Sequence, residues 1–177
     1  SPVFNSIQSG RMPTYLSGNY NCPMLNFTSY QSGCESYSVA GTFGAFLMRQ
    51  HGQAFFKDLL SRPAPSGSFA LMDAVLKASS PASSFNQAFR SFAVSTGAMV
   101  APAAAPAGFG YPARQDADLA LMALNPQDWA AYRSVPTQLP GRIAQFGSVP
   151  LVRPSSGSYY SEVVTVPAGV TLSVVVQ

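Results

Sequence analysis

The run Tyr37–Leu60, YSVAGTFGAFLMRQHGQAFFKDLL, constrains the fold more than any other stretch of this chain. Val39, Phe43, Phe46 and Leu47 recur at i, i+4, i+7 and i+8, which places them on one face of a helix. Arg49 and His51 then precede Gly52, a pattern of basic groups at the negative end of a helix followed by a left-handed glycine stop. The run therefore reads as two helices meeting at a glycine. The second extends from Gln53 to Leu60 and buries Phe56, Leu59 and Leu60. Ser36 or Ser38 is placed to cap the first helix, because a serine oxygen accepts from an unpaired first-turn N–H. Gly41 and Gly44 each cost that helix about 1 kcal/mol against Ala. Close approach of another element on their side is the expected reason.

Further helices follow. Ser68 opens one with Leu71, Met72, Val75 and Leu76 on a single face. Ser84 and Gln87 form an S-x-x-Q capping box ahead of Phe85, Ala88, Phe89 and Phe92, and Gly97 ends that helix. Residues 98–113, AMVAPAAAPAGFGYPA, read as a stiff linker or a long surface loop. Leu119–Leu124 then reads as a short strand. Asn125, Pro126 and Asp128 start a helix that turns Trp129 and Tyr132 inward.

From Gln145 the period changes. Val149–Val152, Tyr159–Val166 and Val170–Val176 are short β-branched runs separated by Pro/Gly turns, and VTVPAGVTL reads as a hairpin. Helices first and strands last predict an α+β fold, with an N-terminal helical lobe and a small C-terminal antiparallel β unit. The expected division is 1–110 for the lobe and 111–177 for a small domain with one helix and the strands.

Charged residues make up 10% of the chain, against about 25% in ordinary soluble domains. That deficit fits a secreted protein whose surface is carried by Ser, Gln, Asn, Thr and Tyr, or a segment of something larger. The first residues lack the charged start and apolar centre of a signal peptide, so the chain reads as a mature or truncated part of a longer precursor. The basic residues are scattered singly, which argues against nucleic-acid binding. No apolar run reaches the roughly 18 residues of a membrane span. Cys22 and Cys34 sit in a loop-like stretch and read as a disulfide, with two buried thiols as the alternative.

Candidates for chemistry are few. His51 is the single histidine, and no H-E-x-x-H motif occurs anywhere, so it reads as a helix-end residue rather than a base or ligand. Cys34 with His51 as a thiol dyad competes with the disulfide and loses to it. Glu35, at a helix start, suits the positive N-terminus better than a metal. Asp116 and Asp118 read as solvated loop acids, too few for a calcium site. Two cysteines and one histidine also fall short of the four ligands of a structural zinc site. No catalytic and no metal-binding residue is assigned, and no cofactor is expected in this chain.

The run Tyr37–Leu60, GNYNCP at residues 18–23, SFNQAFRSFA at 84–93 and VTVPAGVTLSVVV at 164–176 together resemble the C-terminal half of secreted bacterial metallopeptidases of the hyicolysin type, some of them labelled haemagglutinins. That family holds zinc on an H-E-x-x-H helix, and the metal activates water with the motif's glutamate as base. The resemblance implies that the zinc site belongs to the parent protein, upstream of this chain, and that these helices form a scaffold lobe behind it. It implies packing against an N-terminal domain of the same precursor, and a secreted, periplasmic or cell-surface location. The rival expectation is an extracellular binding module, such as a surface antigen or adhesin, whose terminal hairpin takes a protein or glycan ligand.

Overall fold

A computed structural model describes residues 10–25, 33–63, 67–153, 157 and 161–176. The chain is helical over residues 10–16 (α1), then forms a single 3-10 turn at Asn19–Asn21. Three longer helices follow: α2 at Ser36–Ser61, α3 at Ser68–Ser79 and α4 at Phe85–Gly97. After a 3-10 turn at Pro102–Ala104, β1 (Arg114–Gln115) pairs antiparallel with β2 (Ala120–Leu121), Arg114 opposite Leu121. A last 3-10 segment covers Pro126–Tyr132. The fold is α+β, mostly helical, with one small two-stranded sheet among the described residues.

The core is built from the periodic stripes. Val39, Phe43, Phe46 and Leu47 of α2 meet Val75 and Leu76 of α3 and Phe85, Phe89 and Phe92 of α4, all buried. Phe43 lies 5.2 Å from Phe92 and 5.7 Å from Phe85, both edge-to-face. Each such pair contributes about 0.5–1.5 kcal/mol beyond area burial. From α1, Met12, Tyr15 and Leu16 close the cluster. Gly41 explains its own cost: a Cβ there would come within 2.8 Å of the Arg11 side chain on α1. No described residue comes within 4 Å of a Cβ placed on Gly44, so none of them explains that glycine.

Chain beyond residue 110 returns to this core. Tyr111 is fully buried, 5.7 Å from Phe46, and shares a 2.6 Å hydrogen bond with the Thr96 hydroxyl. Phe146 packs 4.7 Å from Phe85 and 5.5 Å from Phe89. Irregular backbone between them is held by long-range bonds. Ser134 N donates to Leu16 O, Ser148 N donates to Tyr20 O, and the Asn21 amide both donates to Arg142 O and accepts from Ala144 N.

Several expectations are corrected. Glu35, not Ser36 or Ser38, is the N-cap of α2: its carboxylate accepts from Ser38 N at 2.6 Å. The second part of α2 buries Phe55, while Leu60 is 87% exposed. Non-helical geometry at Gly52 resets the helical phase, so the stripe cannot be extrapolated across it. Tyr132 is exposed, because the Pro126–Tyr132 segment is 3-10 and kinks at Trp129.

The strands expected at Val149–Val152 and within 161–176 do not form among the described residues. Tyr159 and Tyr160 lie outside the described residues. Val170 N does close a turn onto Pro167 O, but the flanking valines find no partner strand, and Val163, Val174 and Val176 are almost fully exposed. β propensity expresses itself only against a neighbouring backbone. The strand that does form within Leu119–Leu124 has such a neighbour in β1.

Candidate functional site at the helix break

Gly52 carries φ 78° and ψ −173° in the middle of α2. This region of backbone space is open in practice to glycine alone. In an unbroken helix the Gln53 N–H would point to the Arg49 carbonyl. Here it donates to the Asp116 carboxylate at 2.5 Å. The carbonyls of Arg49 and Gln50 accept instead from the Arg114 guanidinium, at 3.4 and 3.2 Å. Arg114 and Asp116 are joined to each other at 2.9 Å. A cation thus meets the negative end of one half-helix and an anion the positive end of the other, as the helix dipoles require.

Asp116 is therefore no solvated loop acid. The Gln53 N–H and then Arg114 hold its carboxyl below the usual carboxylate range. Asp118 is exposed, as expected of a loop acid. Arg49 turns the other way, into the core, where it is 2% exposed. It donates to Met122 O at 3.0 Å and to Ala45 O, and burial pushes its guanidinium down to about 10.

His51 lies on the open side of the break. Its Nδ1 is 3.0 Å from the Ser79 hydroxyl on α3, and its ring packs 5.3 Å from Phe55. Burial, and then the neighbouring Arg114 charge, push the imidazole below its ordinary value. It faces a cleft of about 670 Å³ whose walls come from α2, α3, α4, the 107–109 turn and β1.

The zinc chemistry that the sequence resemblance implies for a parent protein does not fit this position. A catalytic zinc takes three protein ligands at about 2 Å. His51 is flanked by a hydroxyl, an aromatic ring and a guanidinium, and the guanidinium would repel a metal cation. Among the described residues, no group of three His, Cys, Asp or Glu side chains stands close enough to hold a metal. Cys22 and Cys34 form a disulfide, with Cα atoms 5.5 Å apart. Glu35 is engaged as the α2 cap and in an ion pair with Arg11 at 3.3 Å. Sequence reading singled out His51, Glu35, Asp116 and the cysteines, and the structure brings only His51 and Asp116 to the break. Arg114 was missed. Its one sequence signal is its place two residues before Asp116.

Fold and site together define a mostly helical α+β protein with a polar cleft where its longest helix breaks. The chain belongs to the Peptidase M30 family, whose model matches residues 1–177. Comparisons with curated proteins and with solved structures give no match. Family membership makes this a metallopeptidase-related protein. No described helix is long and apolar enough to cross a membrane.

Proposed function

We propose that this chain is the helical, non-zinc-binding C-terminal lobe of a secreted metallopeptidase-like protein, packing against an N-terminal domain of the same precursor that forms the zinc site. The observation that carries this reading is the pairing of a family match over residues 1–177 with a single histidine set beside a guanidinium. The lobe's contribution is mechanical. Its aromatic core and doubly capped break fix the relative positions of α2, α3 and α4, and a site built against them inherits that rigidity. A disulfide between Cys22 and Cys34 supports an oxidising compartment: extracellular, periplasmic or cell-surface.

The rival reading, a non-catalytic binding module, drew on a Tyr/Ser/Asn-rich surface and on a terminal hairpin, and of these the hairpin strands do not form at residues 164–176. Metal analysis of the purified 177-residue chain, paired with a peptide-cleavage assay in added zinc, tests the proposal. Sub-stoichiometric zinc and no cleavage are expected. Tight one-to-one zinc accompanied by cleavage would overturn it.

A further inference from the structure

The cleft at the helix break has a lining of unusual chemistry. Among the described residues that line it there is no carboxylate to select a cation. Its one permanent charge, Arg114, is engaged by Asp116 and by two backbone carbonyls. Burial and then the Arg114 charge push the His51 imidazole toward its neutral form. What remains is a set of uncharged hydroxyls and amides. Ser80 and Ser83 on the α3–α4 turn, and Gln87 on the first turn of α4, line it together with His51.

Apolar walls complete it. Phe109 lines the cleft at the end of a turn closed by its own N–H donating to Pro106 O at 3.0 Å. Gln50 fixes that turn from α2, its amide nitrogen donating to Phe109 O and Gly110 O, both at 3.0 Å. The same bonds leave the Gln50 amide oxygen to accept from another donor. Phe109 is thus a preset apolar surface facing a rim of donors and acceptors.

We propose that this cleft is a binding site for a neutral, hydroxyl-rich ligand of one to three sugar rings. A sugar ring has an apolar C–H face and an edge of hydroxyls that both donate and accept. Phe109 meets the face, while the Ser83 hydroxyl and the Gln87 and Gln50 amides meet the edge. The volume, about 670 Å³, lies within the roughly 300–1,000 Å³ typical of small-molecule sites. Charged ligands are disfavoured: among the described lining residues an anion finds one guanidinium, already paired with Asp116, and a cation finds no carboxylate. An extended peptide fits less well, because peptides are usually registered on a sheet edge and the groups offered here are side-chain hydroxyls and amides. The inference stands on the cleft alone and does not depend on the scaffold reading above.

The test uses the full 177-residue chain and a panel of neutral di- and trisaccharides (maltose, cellobiose, chitobiose, maltotriose), with an uncharged Ser/Gly/Ala hexapeptide as comparator. Binding is read by saturation-transfer NMR and then by titration calorimetry. At least one saccharide should bind. Phe109→Ala and Gln87→Ala should each weaken it by about tenfold or more, the equivalent of about 1.4 kcal/mol. Gln87 is exposed, so Gln87→Ala should keep the wild-type unfolding midpoint and serves if Phe109→Ala disturbs its turn. Three outcomes overturn the proposal: no saccharide binds, binding is unchanged in both variants, or the hexapeptide alone binds and loses affinity in them.

Discussion

Gly52→Ala separates a broken helix from a continuous one by the sign of its effect. In a continuous helix over residues 36–61, alanine would stabilise the protein by about 1 kcal/mol relative to glycine. In the structure described here, two terms oppose that. An L residue forced to φ 78°, ψ −173° carries strain of about 1–3 kcal/mol. The added Cβ would also overlap the Arg114 guanidinium, driving it off the carbonyls of Arg49 and Gln50. Arg114 is 32% exposed, so solvent screening trims the loss of those charge-assisted bonds to about 1 kcal/mol. The expected total is a loss of roughly 2–4 kcal/mol. Urea unfolding followed by far-UV circular dichroism would show it as a midpoint lowered by about 1–2 M at unchanged slope. Adding Arg114→Ala closes a double-mutant cycle. With the guanidinium gone, Gly52→Ala should cost only the strain, leaving a coupling of about 1 kcal/mol. A Gly52→Ala variant as stable as the wild type, or more stable, would refute the break and everything built on it.

Two more outcomes follow from the same geometry. His51 should titrate below its ordinary value of about 6.5, because burial and then Arg114 disfavour the imidazolium. With the folded value depressed, its contribution to stability is fully present above the unfolded value and is lost as the pH falls toward the folded one. His51→Gln should therefore flatten the stability profile below about pH 6.5, and an imidazole titrating above that value by NMR would contradict the placement. Replacing both Cys22 and Cys34 by serine opens a loop with a sequence separation of 12 and should cost about 3 kcal/mol. Equal unfolding midpoints for the double variant and the wild type would show that the bridge does not hold that loop.

The parts of the fold legible in the sequence are those settled within a few residues. The stripe Val39, Phe43, Phe46, Leu47 and the Ser84 cap that accepts from Gln87 N are local patterns, and both lie where spacing puts them. Gly52 was legible as a break, since glycine after a basic helix end has few other uses. What repairs the break was not legible. Arg114 and Asp116 are more than sixty residues away, and nothing in their own neighbourhood marks them as helix caps. The cap of α2 was ambiguous because Glu35, Ser36 and Ser38 are all capable acceptors and only the incoming chain angle chooses among them. Terminal valines misled for a different reason. Their side chains suit a pleated sheet, but pairing is a property of two segments, and residues 161–176 pair with no strand among the described residues.

The break also links the scaffold to the cleft. Two carbonyls and one N–H leave the helical ladder at Gly52, and all three are taken up by a single strand and the residue after it, Arg114 to Asp116. That docks β1 against α2. Immediately upstream, Tyr111 anchors in the core through Thr96, and Gln50 on the same turn of α2 grips Phe109. The chain from Phe109 to Asp116 is thus pinned at three points, two of them on α2 and one of these made by the break itself. A continuous helix would remove the carbonyls that hold Arg114 and carry Gln53 away from Asp116. It follows that Gly52→Ala should loosen the Phe109 wall as well as the protein, although Gly52 is not itself part of the cleft lining. Ligand affinity and stability should then fall together in Gly52→Ala, whereas in Gln87→Ala affinity should fall while the unfolding midpoint holds. The helix break is in this sense the part of the fold that shapes the cleft.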